Sequence, residues 1–234
     1  MKLKTEVQNL QNKVILITGS SSGIGRETAI AFSQKGSIVI VTYFNEKENG
    51  EKVLQECKRY GNGALYHLDV RDDTSIRKVV DDVINRFKGI DVLINNAGVM
   101  KEKILLEHSL NDIEEQVNVN LLGVMKMTHA VLPFFYKQND GIIINIGSGA
   151  GKQGFAELAI YCATKFGLRG FTQSLSEELP KAIRTYCINL STTATRMTGY
   201  VGVDPKKVAS VIVDAAEERY GIRSGDDLDV WNYI

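Results

Sequence analysis

The sequence predicts an α/β fold, a doubly wound parallel sheet of about seven strands with helices on both faces. Three observations carry this. Short, β-branched apolar runs recur along the chain, and each is followed by a longer segment of helical period. The runs do not alternate polar with apolar residues, so they suit strands buried on both faces, which belong to parallel sheets covered by helices. No linker, low-complexity tract or solenoid repeat interrupts the alternation, so 1–234 is expected to be a single domain.

Taken in order, the runs are VILIT at 14 to 18, IVIVT at 38 to 42, ALYHL at 64 to 68, DVLIN at 91 to 95 and IIINI at 142 to 146, followed by RTYCINL at 184 to 190 and LDVW at 228 to 231. Between the third and fourth, Ile76, Val79, Val80, Val83, Ile84 and Phe87 form one stripe at helical spacing. Asp72 and Asp73 are available to cap its start, and Gly89 follows its end. Segments 110 to 138 and 156 to 181 carry more apolar residues than one stripe requires. Either another subunit covers a second face, giving a homodimer or homotetramer, or the intramolecular contact is thicker.

The bulk numbers exclude several functions. Lys+Arg and Asp+Glu each number 28, so the formal net charge is zero and no broad basic field exists to attract a phosphate backbone. Nucleic acid is therefore not expected as a partner. Cys57, Cys162 and Cys187 fit neither a paired disulfide framework nor a metal site, and His67, His108 and His129 share no metal-like spacing. Lysines stand at positions 2 and 4, but the only apolar stretch nearby, Val14 to Ile17, is too short for a leader or a membrane span. A soluble, unprocessed, cytoplasmic protein with little C-terminal tail beyond LDVW is expected.

The candidate chemistry falls just after strands, where ligands of doubly wound sheets collect. Thr18-Gly19-Ser20-Ser21-Ser22-Gly23-Ile24-Gly25 follows the first run and opens a helix. A helix N-terminus offers unpaired N–H groups to a pyrophosphate, and glycines let the backbone come close. A glycine cluster by itself can also be a plain turn, a reading that the position between strand and helix disfavours. Farther on, Tyr161 and Lys165 stand one helical turn apart, and Ser148 precedes the tyrosine by 13 positions, beyond an apolar strand. A phenol titrates near 10, and bringing it to about 7 takes about 4 kcal/mol, to which a neighbouring ammonium in a dry pocket can contribute. Ser148, among small residues, can align a substrate oxygen with the phenol.

TGxxxGxG at 18 to 25, Asn95-Asn96-Ala97-Gly98, Asn120, Ser148 and the YxxxK pair Tyr161 and Lys165 occur in the order of the short-chain dehydrogenase/reductase family, which the chain resembles over essentially its whole length. The resemblance implies a Rossmann-type domain and hydride transfer at a carbonyl or secondary alcohol, with Tyr161 as acid/base, Ser148 and Lys165 beside it, and Asn120 kinking its helix and holding a water that links Lys165 to solvent. It implies cofactor contacts from Gly19, Ser21, Ser22, Gly23, Ile24 and Gly25, from Asp69 and Val70 beside the adenine, from Asn96, Ala97 and Gly98, from Tyr161 and Lys165 themselves, and from Thr195 at the carboxamide.

At the end of the second strand an acid would bond the ribose 2′-OH, but Tyr43 stands there, followed by Phe44 and Asn45. This favours NADP(H) over NAD(H), with Tyr43 and Asn45 at the ribose and Arg26 or Lys47 as phosphate partners or plain surface charges. The chain departs from the family at Leu190-Ser191, where Pro-Gly is usual, and in a short stretch between Thr195 and the helix near Pro205, which implies a small substrate lid. Met197 and Tyr200 either line the pocket through the lid or are ordinary partly buried loop residues, and Lys101 and Lys152 flank the pocket openings, as solvated charges unless the substrate is anionic. Two rival functions stay open: a non-catalytic dinucleotide-binding sensor or scaffold, and an isomerase or epimerase that returns its hydride.

Overall fold

A computed structural model describes residues 7–234, so Lys2 and Lys4 lie outside the described residues. Seven parallel strands form one sheet in the order β3-β2-β1-β4-β5-β6-β7. They are β1 (Val14–Ile17), β2 (Ile38–Tyr43), β3 (Gly63–His67), β4 (Val92–Asn95), β5 (Gly141–Ser148), β6 (Ile183–Leu190) and β7 (Asp227–Asp229). Every apolar run of the sequence became a strand, most within a residue or two of the expected bounds, and the last is cut the most. LDVW contributes only its first residues, and the chain then turns at Val230–Asn232 in a single 3-10 turn that puts Trp231 on the wall of a cleft.

Alternate residues of the strands feed two cores. Ile15, Ile17, Val39, Val41, Ile94 and Ile144 join one, against helix α1 (Gly23–Gln34) and helix α7 (Pro205–Ala216). Leu16, Ile40, Leu93 and Ile143 join the other, against helix α3 (Asp73–Phe87) and helix α5 (Gly123–Gln138). Between them these faces leave the central strands with no exposed side, which is why their sequence shows no alternation. Helix α2 (Lys47–Cys57) packs beside α1 at the β2–β3 side of the sheet.

In α3 the predicted stripe is buried at Ile76, Val79, Val80 and Val83, and Asp72 caps the start by accepting from the Thr74 N–H at 2.9 Å. The helix stops at Lys88, which takes the left-handed conformation (φ 69°) one residue before the expected Gly89. Segment 110 to 138 is three elements: helix α4 (Leu110–Val117), a π-helical turn (Asn118–Leu122) and α5. A Cβ on Gly123 would lie 2.9 Å from the Val70 side chain and 3.0 Å from the Val70 carbonyl. The widened turn and the glycine together let this helix lie against the loop after β3. Helix α6 (Ala159–Glu178) begins three residues later than position 156 and ends three before 181.

Among the described residues, no helix is long and apolar enough to cross a membrane, and no group of three or more His, Cys, Asp or Glu side chains is placed to hold a metal ion. Removing the cap of α3 by Asp72→Ala should lower stability by about 1 kcal/mol, read as a shift of the denaturant midpoint with unchanged slope.

Candidate active site

The strand order reverses between β1 and β4, because β2 and β3 extend the sheet to one side and β5, β6 and β7 to the other. A crevice must open at that reversal, above the carboxyl ends of the two strands. It is a cleft of about 1780 Å³. Polar bonds between neighbouring strands fix its floor. Thr18 Oγ1 accepts from the backbone N–H groups of Asn96 and Ala97, both at 2.9 Å. The Asn96 amide donates to the carbonyls of Thr18 (2.9 Å) and Gly19 (3.0 Å). From the other side, Thr42 Oγ1 accepts from the Gly19 N–H at 3.0 Å, and Ser20 Oγ accepts from the Thr42 N–H at 2.9 Å.

The glycines of the turn are dictated by this lashing. Gly19 has φ 64°, and a Cβ there would come within 2.9 Å of Ala97 Cα. A Cβ on Gly25 would lie 2.5 Å from both the Asn96 amide and the Gly19 carbonyl. Helix α1 starts at Gly23 with no side-chain cap from Ser22 and no acidic residue in its first turn. Its leading N–H groups therefore face the cleft without an internal competitor, and the turn fits the pyrophosphate of a dinucleotide.

Gly19, Ser21, Ser22, Gly23, Ile24, Gly25, Asn45, Asp69, Val70, Asn96, Ala97, Gly98, Ser148, Tyr161, Lys165 and Thr195 all line this one cleft. Tyr43 does not. Its ring turns away and packs edge-on against His67, with centroids 5.5 Å apart, so Phe44 and Asn45 form the wall where Tyr43 was expected. Side chains alternate along a strand, and the outward turn at residue 43 follows from the pleat. Asn120 sits just below the cleft, fully buried, with Oδ1 accepting from the Val99 N–H and Nδ2 donating to the Val99 carbonyl, both at 2.8 Å. Its Nδ2 also reaches Thr164 Oγ1 at 3.4 Å.

The part of the cleft that holds Ser148, Tyr161 and Lys165 is assembled from β5 and α6. Ser148 Oγ accepts from the Ala150 N–H at 3.1 Å and lies near enough to the Tyr161 phenol to favour its ionised form. Lys165 is buried, and Nζ donates to the Ile146 carbonyl at 2.7 Å. The same ammonium lies 5.6 Å from the centre of the Tyr161 ring. Burial pulls Lys165 down to about 8. Burial also pushes Tyr161 above the ordinary phenol value, with the Ser148 hydroxyl working the other way. The sequence suggested that the lysine lowers the phenol. Within the protein alone, desolvation is the larger effect on Tyr161, because the ammonium lies beside the ring and bonds Ile146.

Sequence reasoning missed three contributors, Arg71, Thr42 and Arg196. Arg71 grips Asp69 through Nε (2.9 Å) and Nη2 (2.8 Å) and lies 4.8 Å over the Phe44 ring. Thr42 anchors the glycine turn, as described. Lys152, already named from the sequence, pairs with Asp229 at 2.5 Å and faces Trp231, which ties the loop after Ser148 to the end of β7 and the turn that follows it. Arg196 meets Glu46 at 2.6 Å. A threonine in a strand and an ion pair such as Arg196–Glu46, between residues far apart in sequence, have no local signature. Arg26 is occupied by Glu27 and by Glu56 (3.0 Å), and Lys47 faces Glu51 at 3.8 Å outside the cleft lining. Met197, Tyr200, Lys101 and Lys152 all line the cleft, with Lys101 held by Asp112 (2.7 Å) and Glu115 (2.5 Å). The stretch between Thr195 and Pro205 folds into a knot around Thr198, whose hydroxyl lies within hydrogen-bonding distance of the carbonyls of Thr193, Thr195 and Val201.

Residues 13–206 match the family model described as short chain dehydrogenase. The chain belongs to the short-chain dehydrogenase/reductase family. It is an NAD(P)-dependent oxidoreductase acting on C=O and CH–OH groups. It is 38% identical over 171 residues to the 3-oxoacyl-[acyl-carrier-protein] reductase FabG of Thermotoga maritima, covering 73% of this chain and 69% of that one. It is 37% identical over 175 residues to the NADP-dependent 3-hydroxy acid dehydrogenase of Schizosaccharomyces pombe, covering 74% and 68%. A solved dehydrogenase/reductase from Sinorhizobium meliloti superposes with a TM-score of 0.87 at 26% identity, over 94% of each chain.

Two outcomes are expected. Gly25→Ala should fold but lose dinucleotide binding by calorimetry, because its methyl group displaces the Asn96 amide that braces the floor. Lys165 has an ordinary value of 10.5 and a folded value of about 8, so between these pH values the unfolded chain binds more protons at this residue. Its contribution to stability therefore rises with pH across that window, by at most about 3 kcal/mol. Denaturant melts of wild type and Lys165→Met at pH 7.5 and pH 10 should show the difference in unfolding free energy moving in favour of wild type. A constant difference would mean that the amine is not desolvated.

Proposed function

We propose that the protein is a reductase or dehydrogenase of a small carbonyl or secondary-alcohol substrate, preferring NADP(H) over NAD(H), with Tyr161 as its acid/base. The observation that carries this reading is the convergence of Ser148, Tyr161 and Lys165 at one end of a cleft whose other end is a glycine turn suited to pyrophosphate. A bound nicotinamide dinucleotide supplies or accepts the hydride. The protein's own groups handle the proton. Ser148 Oγ, fixed by the Ala150 N–H, keeps its own proton for the substrate oxygen and aligns that oxygen with the phenol. Tyr161 Oη donates its proton to the oxygen in reduction and takes it back in oxidation. Lys165 is largely charged below pH 8 and favours the phenolate left behind. Asn120, buried at the opened turn, serves the proton route between Lys165 and solvent by holding a water.

The NADP(H) preference rests on the absence of a carboxylate at position 43 and agrees with the name of the Schizosaccharomyces pombe relative. Leu110, Val117, Leu122 and Phe166 stay exposed on and between α4, α5 and α6, which supports a homodimer or homotetramer formed through those helices. The three cysteines are free and buried, consistent with a reducing cytoplasmic setting.

Tyr161→Phe should keep cofactor binding and lose turnover by roughly 10²-fold or more, measured as NADPH or NADH consumption with a panel of aldehydes, ketones and keto-esters. Near-wild-type turnover would remove the tyrosine from the acid's role. In the wild type, binding without consumption would favour the sensor or scaffold, and product without net cofactor change the epimerase.

A further inference from the structure

The carboxylate that the sequence lacks at position 43 is supplied nearby in space. Glu46 follows β2 at the start of α2 and lines the cleft with Phe44, Asn45 and Asn49. This corner, at the end of the second strand, is where a doubly wound dinucleotide fold meets the adenosine ribose. An unpaired glutamate there would accept a 2′-OH and repel a 2′-phosphate. It is not unpaired. Arg196, on the 3-10 turn of the lid, reaches across to place Nη2 2.6 Å from Glu46 Oε1, while Asn49 Nδ2 donates to Oε2 at 3.1 Å. The neighbouring Thr195 methyl would be 3.4 Å from a Cβ at Gly23, so the lid that carries Arg196 rests on the phosphate-binding turn.

The other two arginines of the cleft are committed. Arg26 divides its guanidinium between Glu27 and Glu56, and Arg71 gives its Nε and Nη2 edge to Asp69 and its face to Phe44. Arg196 touches Glu46 through one nitrogen, and its side chain is 65% exposed, so it can turn without breaking a packed contact.

We propose that Arg196 is the residue that selects a 2′-phosphorylated dinucleotide, with Glu46 as the anion that holds it in place until the phosphate arrives. This rests on the reading of the cleft as a dinucleotide site. A 2′-phosphate carries more negative charge than one carboxylate and presents oxygens that a guanidinium can grip with two donors. It therefore draws Arg196 from Glu46, and the lid is pinned over the cofactor by the same contact. With a plain 2′-OH, Arg196 stays on Glu46 and contributes nothing to the ligand. Glu46 is also the cost of the arrangement, because its charge opposes the phosphate once the arginine has turned.

The test is calorimetric titration of the full chain with 2′,5′-ADP and with 5′-AMP, which needs no turnover. Wild type should bind 2′,5′-ADP at least tenfold more tightly than 5′-AMP. Arg196→Ala should lose most of that ratio by weakening 2′,5′-ADP alone, Arg196→Lys should recover part of it, and Glu46→Gln should widen it several-fold. Thermal melts of each variant without ligand check folding, and both side chains lie at the surface of the lid and corner. An unchanged ratio in Arg196→Ala, an equal loss for both ligands, or a wild type that does not discriminate would each overturn the proposal. A wild type that binds neither compound would instead overturn the dinucleotide reading and the proposal with it.

Discussion

The site depends on one buried hydrogen bond, from Lys165 Nζ to the carbonyl of Ile146. The amine is fully desolvated, and its fall to about 8 records how unfavourable an unpaired charge would be there. The carbonyl belongs to β5, just before Ser148, and the amine to α6, one turn after Tyr161. One bond therefore fixes the distance between the strand that carries the serine and the helix that carries the tyrosine. It also sets the ammonium 5.6 Å from the centre of the phenol ring.

The dinucleotide end follows the same logic with neutral groups. The ends of parallel strands leave backbone N–H and C=O groups that cannot all be paired within the ladder. Thr18, Thr42, Ser20 and Asn96 satisfy those of β1, β2 and β4 with side chains. Deeper in the sheet, Asn95 and Asn145 stand opposite one another in the register of β4 and β5 and share a 2.9 Å bond, which continues from Asn145 to Thr172 of α6 at 2.9 Å. A buried polar chain of this kind specifies the strand register, since a slip by one residue would orphan every member. The floor of the crevice is thus held by hydrogen bonds between neighbouring strands.

The lid is short but internally tied. Gly202, at φ 120°, brings the chain so close to the Thr192 carbonyl that a Cβ would lie 2.2 Å away, and Thr198 gathers the intervening carbonyls. The lid's anchor on the glycine side is apolar contact from Thr195, and its anchor on the corner is the charge of Arg196. Charge at the corner therefore bears on how the lid sits.

The strand runs and the capped helix over 73–87 could be read directly from the sequence, because burial on two faces and a 3.6-residue period leave local marks in residue type. So could Ser148, Tyr161, Lys165 and the glycines, since each belongs to a short pattern whose spacing is itself the geometry. Tertiary structure alone decided that Tyr43 leaves the cleft to Phe44 and Asn45, that Lys88 rather than Gly89 ends α3, and that a π turn opens around Asn120. It also decided the phenol's environment, where desolvation outweighs the neighbouring ammonium. The Glu46–Arg196 pair is the clearest case. Its members are 150 positions apart, and each alone is an ordinary surface charge. Local pattern encodes what a residue does to its own segment. Electrostatic pairing depends on distance in space, which only the closed sheet and the folded lid determine.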